Sequence, residues 1–387
     1  MVRKPLVLPN KTVYVLLRNL AYALMLGFLL YHLFPFPPIV WRFGLVGLSV
    51  IGLIIHIKKF HFTSIEKSML AFVLLNVIYF LFSLLWQSPE LTYFGNMLCS
   101  TLPMFLFYVL SMHGVITRQS LTVFLILSCI CGYFYFRHAE DLIILATLNR
   151  EIGGLTVNAS AIFLVIIPLL FFIRNKWIVV LASIMIIFFI IYGAKRGNII
   201  SMAIPFYLLF RQNLKYNKTL INEAILFLVT VGLCYFAYDT MINSDYVMNR
   251  IEKALEGDTS GRGEIFYTAS QSWYNAEHLY NLIFGYGTDG TVNLIGIRAH
   301  NDWLEVLVDY GLIGFFSYLI FFVNLLKVSW RIRHNNQLFY ALIAVFFIWF
   351  SKSLYSMGFA NSLFSYLSMI IGTILGLECR YNHKRVL

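Results

Sequence analysis

Three short elements of this chain carry residues that could do chemistry: Gly193-Ala194-Lys195-Arg196-Gly197-Asn198, Ser260-Gly261-Arg262-Gly263-Glu264, and Arg298-Ala299-His300-Asn301-Asp302-Trp303-Leu304-Glu305. A guanidinium offers a planar fork that pairs bidentately with phosphate and stays charged at any working pH, so Arg196 and Arg262 read as a clamp for a diphosphate. Lys195 precedes Arg196, and either side chain could be the clamp; the plain alternative for the pair is snorkelling to lipid headgroups. Arg262 stands between two glycines at the start of an amphipathic run, where close backbone approach and a helix N-terminus both favour an anion. Its plain alternative is a solvated turn. His300 falls just outside a predicted helix start, with Asp302 to Glu305 reading as a capping box. The helix dipole there biases an imidazole toward its neutral form, which suits a general base, and Asp302 or Glu305 could orient the second ring nitrogen. A lone histidine is more often structural. Arg298 reads equally as a third phosphate contact or a solvated loop charge, and Asn301 is a substrate-binding candidate beside His300.

The elements that must position these residues are membrane helices. Of 387 residues, 60% are hydrophobic and only 12% charged, and the mean hydropathy is +0.76; soluble domains average about a quarter charged. The apolar runs are long and do not alternate, which predicts spanning helices of about 20 residues rather than barrel strands of about 10. Windows near 12–34, 39–57, 68–86, 92–112, 119–137, 156–173, 177–193, 197–210, 219–237, 302–326, 337–356 and 360–378 make about twelve transmembrane helices. The expected fold is all-α, a polytopic bundle forming one integral membrane domain over 1–387, with a long hydrophilic loop at 239–301 between the ninth and tenth helices. In that loop Tyr246, Val247, Ile251, Ala254 and Leu255 share one helical face. Ile265, Phe266, Ala269 and Trp273 share another, so two short amphipathic helices are predicted at the bundle mouth or bilayer surface. Tyr267, Trp273 and Tyr274 are expected as interfacial anchors. Met1 to Phe34 starts basic and turns apolar without a small-residue cleavage site, and reads as a retained first helix.

A net charge of +11 would suggest nucleic acid in a soluble protein, but here it follows from orientation, because cytoplasmic loops of membrane proteins accumulate Lys and Arg. Every even connection is basic, as with Lys58, Lys59 and Lys67 after the second window and Lys327, Arg331 and Arg333 after the tenth; both chain ends are basic too. Both termini are therefore expected in the cytoplasm and 239–301 outside. Lys195 and Arg196 then sit on the outer side against that bias, a placement that points to a substrate path. The five cysteines and the remaining histidines show no metal-ligand spacing, and there is no phosphate-cradling P-loop. Neither a metal-dependent nor an ATP-driven mechanism is indicated, nor a disulfide framework, and acid–base work with arginine clamps remains.

The string from Arg298 to Gly314, in which His-Asn precedes an acidic helix start and Tyr310-Gly311-Leu312-Ile313-Gly314 follows, resembles the signature of the bacterial O-antigen ligase and O-antigen polymerase superfamily. The Ala-Lys-Arg-Gly turn after the seventh window and the Ser-Gly-Arg-Gly element match that family's two other basic motifs in order and sidedness. The resemblance covers about residues 150–320; the first half is similar only in hydropathy. It implies a glycosyltransferase of the bacterial inner (plasma) membrane, acting on the outer face without metal, nucleotide or other cofactor and inverting at the anomeric carbon. It implies that Arg196 and Arg262 hold the diphosphate of an undecaprenyl-diphosphate-linked glycan donor and that His300 activates the acceptor hydroxyl, with Lys195, Arg298 and Asn301 as substrate contacts. The acceptor would be a lipid-linked repeat unit or lipid A-core, with membrane lipids and a chain-length regulator as further partners and no nucleic acid. Lys195 stands where many relatives have a small or hydroxyl residue, so the clamp stays open between Lys195 and Arg196.

Between the two family reactions, polymerisation of repeat units is the first expectation and ligation of the finished glycan the second. The loop from Asp239 to Asn301 carries four basic residues against eight acidic ones, which disfavours docking an anionic, phosphorylated core. A flippase or other transporter should show a polar path through the bundle, with inverted repeats and matching helix breaks. The windows here are largely uncharged.

Overall fold

The computed structural model of the chain describes residues 11–85, 88–148, 158–193, 195–216 and 262–386. Among them the fold is entirely helical. Eleven of the twelve apolar windows coincide with helices. The ninth, 219–237, lies outside the described residues, as do Cys234, the segment from Tyr246 to Leu255, and Ser260-Gly261. Among the described residues eight helices, counting 91–112 as one, are long and apolar enough to cross a membrane.

The helices are α1 (Lys11–Leu29), α2 (Pro38–Lys59), α3 (Ser64–Ser83), α4 (Leu91–Thr101), α5 (Pro103–Met112), α6 (Arg118–Leu148), α7 (Ala161–Val165), α8 (Lys176–Tyr192) and α9 (Arg196–Tyr216). After them come α10 (Arg262–Tyr274), α11 (Leu279–Phe284), α12 (Gly290–Ile295), α13 (Asp302–Arg331), α14 (Asn336–Tyr355) and α15 (Ser365–Val386). Local chemistry sets several of the starts. Pro38 opens α2 at a position where its missing N–H would go unpaired in any case. Thr63 and Glu66 form a capping box at α3, Glu66 Oε2 accepting from the Thr63 amide at 2.7 Å. Asn175 caps α8, accepting from the amides of Trp177 and Ile178.

The sixth window is not one regular helix. A 3-10 turn at Asn158–Ser160, the short α7 and a second 3-10 stretch at Ile167–Phe172, with Pro168 near its start, run through the middle of the bundle, and residues 159–172 are buried throughout. A segment apolar on every side has no polar face to turn outward, which is why it ends in the centre. Around it α5 packs on α15 and α2, α9 on α14, and α3 on α13. The outward faces are apolar as well: Ile51 and Ile54 on α2, Leu74 and Ile78 on α3, Ile126 and Ile130 on α6, and Phe316 and Ile320 on α13 are all exposed. A surface of that kind is stable in hydrocarbon, where helices satisfy their own backbone groups.

Helices α10, α11 and α12 gather against the first half of α13. Ala269, Ala299 and Val308 form a small buried cluster, with Ile265, Trp273 and Leu304 packed around it. The predicted amphipathic helix is therefore present, but one expected anchor is corrected: Tyr267 and Tyr274 are exposed, whereas Trp273 packs into this cluster. Helix α13 is broken at Gly311, whose φ of 62° and ψ of −161° belong to a region open essentially to glycine alone. The backbone crosses there at Gly285, with φ 74° and ψ −163°. A Cβ on Gly285 would strike the Asp309 carbonyl and one on Gly311 the Ile283 carbonyl. The carbonyls at the kink find partners across the crossing, Val308 O accepting from Tyr286 N at 3.0 Å and Asp309 O from Gly287 N at 2.8 Å.

Candidate functional site

The last turn of α14 is where the three chemical elements meet. Lys352, Leu354 and Tyr355 each touch a different one, and the two serines beside Lys352 bond to α9 and α13. Ser351 donates to Ser201 Oγ at 2.6 Å, Lys352 Nζ to Asn198 Oδ1 at 2.8 Å, and Ser353 pairs with the Tyr318 hydroxyl at 2.7 Å. The Leu354 carbonyl accepts from Asn301 Nδ2 at 3.0 Å and the Tyr355 carbonyl from Arg262 Nη1 at 2.8 Å. Carbonyls in the last turn of a helix have no intrahelical partner, so they are natural acceptors for groups brought in from other elements. Gly197 lies against Tyr355, which brings the start of α9 to the same place.

Lys195 caps α9 through its carbonyl, which accepts from Asn198 N, and its ammonium donates to Asn158 Oδ1 at 2.5 Å. Asn198, buried, donates from Nδ2 to Ser160 Oγ at 2.7 Å. The turn before α9 is thus tied twice to the 158–160 element. Arg196 is the first residue of α9; its side chain lies outside what the structure describes. The choice between Lys195 and Arg196 as clamp accordingly stays where the sequence left it.

His300 adopts φ 53° in the left-handed region and is exposed. Its imidazole is pushed below the ordinary histidine value, first by the protein that backs it and then by the positive charges of Arg262, Lys195 and Arg298. This neighbourhood brings Lys195, Arg262 and His300 together. A neutral imidazole beside a group of cations can accept a proton from a hydroxyl held there, while the cations hold an anion.

Three expectations are corrected. The helix start is capped by Asn301 and not by a box from Asp302 to Glu305: Asn301 Oδ1 accepts from Trp303 N at 2.9 Å and Leu304 N at 3.2 Å. With Oδ1 on the helix start and Nδ2 on the Leu354 carbonyl, Asn301 ties the start of α13 to the end of α14. Neither acidic residue holds the imidazole. Asp302, fully buried, accepts from the amides of Gly358 and Phe359 at 2.9 and 3.1 Å and from the Tyr318 hydroxyl at 2.9 Å. Glu305 is buried beneath the loop, with Thr291 and the backbone of Ala299 and His300 as its polar neighbours but none at full hydrogen-bonding geometry. Arg298 is not a solvated loop charge. It pairs with Glu90 Oε2 at 2.8 Å and Asp289 Oδ1 at 2.6 Å and lies 3.7 Å above the Tyr93 ring, locking the His300 loop to the start of α4. Two carboxylates neutralise it.

A cleft of about 600 Å³ opens beside that ion pair, lined by Glu90, Asp289, Asn293 and Arg298 among others and by none of Lys195, Arg262, His300 or Lys352. Lys352 is the residue that sequence reasoning missed. It is 1% exposed, inside an apolar helix, and its electrostatic neighbours are Lys195, Asp302 and Arg262. The signal was there: Ser351-Lys352-Ser353 interrupts an apolar window, and an ionisable residue within a span marks a functional site by default.

The geometry brings cationic side chains and an imidazole to one end of a bundle whose helices are long and apolar enough to cross a membrane. No protein-family model matches the chain, and no curated protein matches it.

Proposed function

We propose that the chain is a metal-independent inverting glycosyltransferase that polymerises undecaprenyl-diphosphate-linked oligosaccharide repeat units on the outer face of a bacterial plasma membrane, with both termini cytoplasmic and about twelve transmembrane helices around the outer loop 239–301. The observation that carries this reading is the gathering of Lys195, Arg262 and His300 into one electrostatic neighbourhood at the last turn of α14. Sequence places these residues more than 100 positions apart at the extremes. A cationic pocket without a base would suit binding alone; a base without cations would suit no anionic leaving group.

In the proposed reaction His300 takes the proton of the acceptor hydroxyl as its oxygen attacks the anomeric carbon of the donor. The bond from that carbon to the diphosphate oxygen breaks, and undecaprenyl diphosphate leaves with the electron pair and one more negative charge. Fixed cations that face this developing charge lower the barrier more than they stabilise the bound donor, which is the requirement for catalysis. Arg262 and the Lys195–Arg196 pair take this role. The proton then passes from His300 to water.

The choice of polymerase over ligase is supported by the acidic outer loop and by the state of Arg298, whose charge is matched by Glu90 and Asp289 and so adds nothing to the attraction of a phosphorylated core. The test is reconstitution of the purified protein with undecaprenyl-diphosphate-linked repeat units as the only glycan. Formation of a ladder of longer chains with release of undecaprenyl diphosphate is expected. Transfer only when lipid A-core is added would establish a ligase, and movement of the lipid-linked glycan across the bilayer without new glycosidic bonds a transporter.

A further inference from the structure

Lys352 is a buried lysine for which the described residues provide no carboxylate within ion-pair distance. Its ammonium is 1% exposed and makes one hydrogen bond, to the neutral Asn198 Oδ1 at 2.8 Å. Among the described residues it belongs to no ion pair within 4.0 Å. The nearby carboxylate, Asp302, is already held by Tyr318, Gly358 and Phe359. The other charges it feels, Lys195 and Arg262, have its own sign. An ammonium has three N–H donors, and a buried cation is costly unless paired and hydrogen-bonded. In an apolar helix that cost is higher still.

Asn198 makes the arrangement specific. Its amide is fixed in orientation because Nδ2 donates to Ser160 Oγ at 2.7 Å, so Oδ1 must face the ammonium. The side chain that receives Lys352 is therefore a neutral acceptor in a place where an aspartate of almost the same shape would have neutralised it. Among the described residues no carboxylate pairs with the ammonium, and Lys195 and Arg262 are its neighbours of like sign.

We propose that Lys352 is the buried floor of the anion pocket and that the diphosphate of the lipid-linked donor supplies its missing counter-charge. This deepens the glycosyltransferase reading and rests on it. In the pocket so built, Lys195 and Arg262 stand at the rim and Lys352 beneath them, so that α14 contributes to the site through a side chain as well as through its last carbonyls. Binding the donor then relieves a cost that the empty pocket carries, and the pocket discriminates against neutral lipids of the same length.

The experiment measures binding of geranylgeranyl diphosphate, and of geranylgeraniol as the uncharged control, to the full-length protein in detergent, together with its thermal unfolding. Lys352→Gln keeps a donor for Asn198 and removes the charge; it is expected to weaken diphosphate binding at least tenfold and leave the weak binding of the alcohol unchanged. Lys352→Arg should stay within about threefold of the parent protein, and so should Lys327→Gln, an exposed lysine on α13. Asn198→Asp gives Lys352 a carboxylate of its own and should weaken diphosphate binding as strongly as Lys352→Gln, while raising the unfolding temperature. That variant carries the test if Lys352→Gln does not fold. Parent-like diphosphate binding by either variant would overturn the role of Lys352 and leave the enzymatic reading standing. Absence of diphosphate binding by the parent protein would instead remove the donor site itself.

Discussion

The guanidinium of Arg262 donates to the carbonyl oxygen of Tyr355 at 2.8 Å, joining the first residue of α10 to the last residue of α14. A positive group at a helix C-terminus completes an orphan carbonyl and opposes the negative end of the dipole. The Arg262 charge also acts on His300, so one side chain both ties α10 to α14 and holds the imidazole below its ordinary value.

Replacing Arg262 by Lys keeps the charge and loses the fork. If the guanidinium stabilises the leaving diphosphate, kcat should fall about 100-fold, the usual effect of removing one such donor, with expression and unfolding temperature close to the parent. Turnover by Arg262→Lys at the parent rate in the reconstituted assay would reduce Arg262 to a structural tie.

The lowered imidazole of His300 sets a pH dependence. The base must be neutral to accept a proton, so kcat/KM should fall on acidification with a midpoint below 6.5, the ordinary histidine value, and be flat through neutral pH. Two of the causes of that shift are the charges of Arg262 and Lys195, so Lys195→Gln should move the midpoint upward. His300→Ala should abolish turnover and leave donor binding intact; full polymer synthesis by that variant would remove the general base.

Asp302 holds the turn after α14 in place. Asp302→Ala leaves the amides of Gly358 and Phe359 unpaired in the interior, and buried unpaired groups cost roughly 1–3 kcal/mol each. A loss of about 3 kcal/mol is expected, read as a lowered unfolding temperature in detergent, together with impaired donor binding because Lys352, Leu354 and Tyr355 lie at the same turn. An unchanged unfolding temperature would contradict the assignment.

The crossing of Gly285 and Gly311 admits no side chain. Gly311→Ala forces a non-glycine residue into a backbone region costing about 1–3 kcal/mol and drives its Cβ into the Ile283 carbonyl. Little folded protein should be recovered, whereas Gly296→Ala, with positive φ but open space around it, should fold with a smaller loss. Equal recovery of both variants would show that the close approach is unimportant.

The proposed orientation is testable at described positions. In a chain whose own cysteines are replaced, Tyr274→Cys on exposed α10 should react with a membrane-impermeant thiol reagent in intact spheroplasts, and Lys327→Cys only after permeabilisation. The reverse pattern would invert the topology.

Among the described residues the sequence by itself determined where most of the long helices run, because the length of an apolar segment and the spacing of residues along one face are local properties. It also marked Lys195, Arg262 and His300, since charge is conspicuous where so little is present. It could not say that Asn301 caps α13 while Asp302 is buried: Asn and Asp are both good caps, and the choice turned on Gly358 and Phe359, 56 and 57 positions away, whose amides needed a carboxylate. Nor could it assign Arg298, whose partner Glu90 lies 208 positions earlier, or give meaning to Lys352, whose acceptor Asn198 is 154 positions away. Gly311 stood out within the run from Tyr310 to Gly314 without a reason until the backbone crossing with Gly285 supplied one. Hydropathy is written in each segment separately, but hydrogen bonds and charge compensation belong to pairs, and only the packed bundle brings those pairs together.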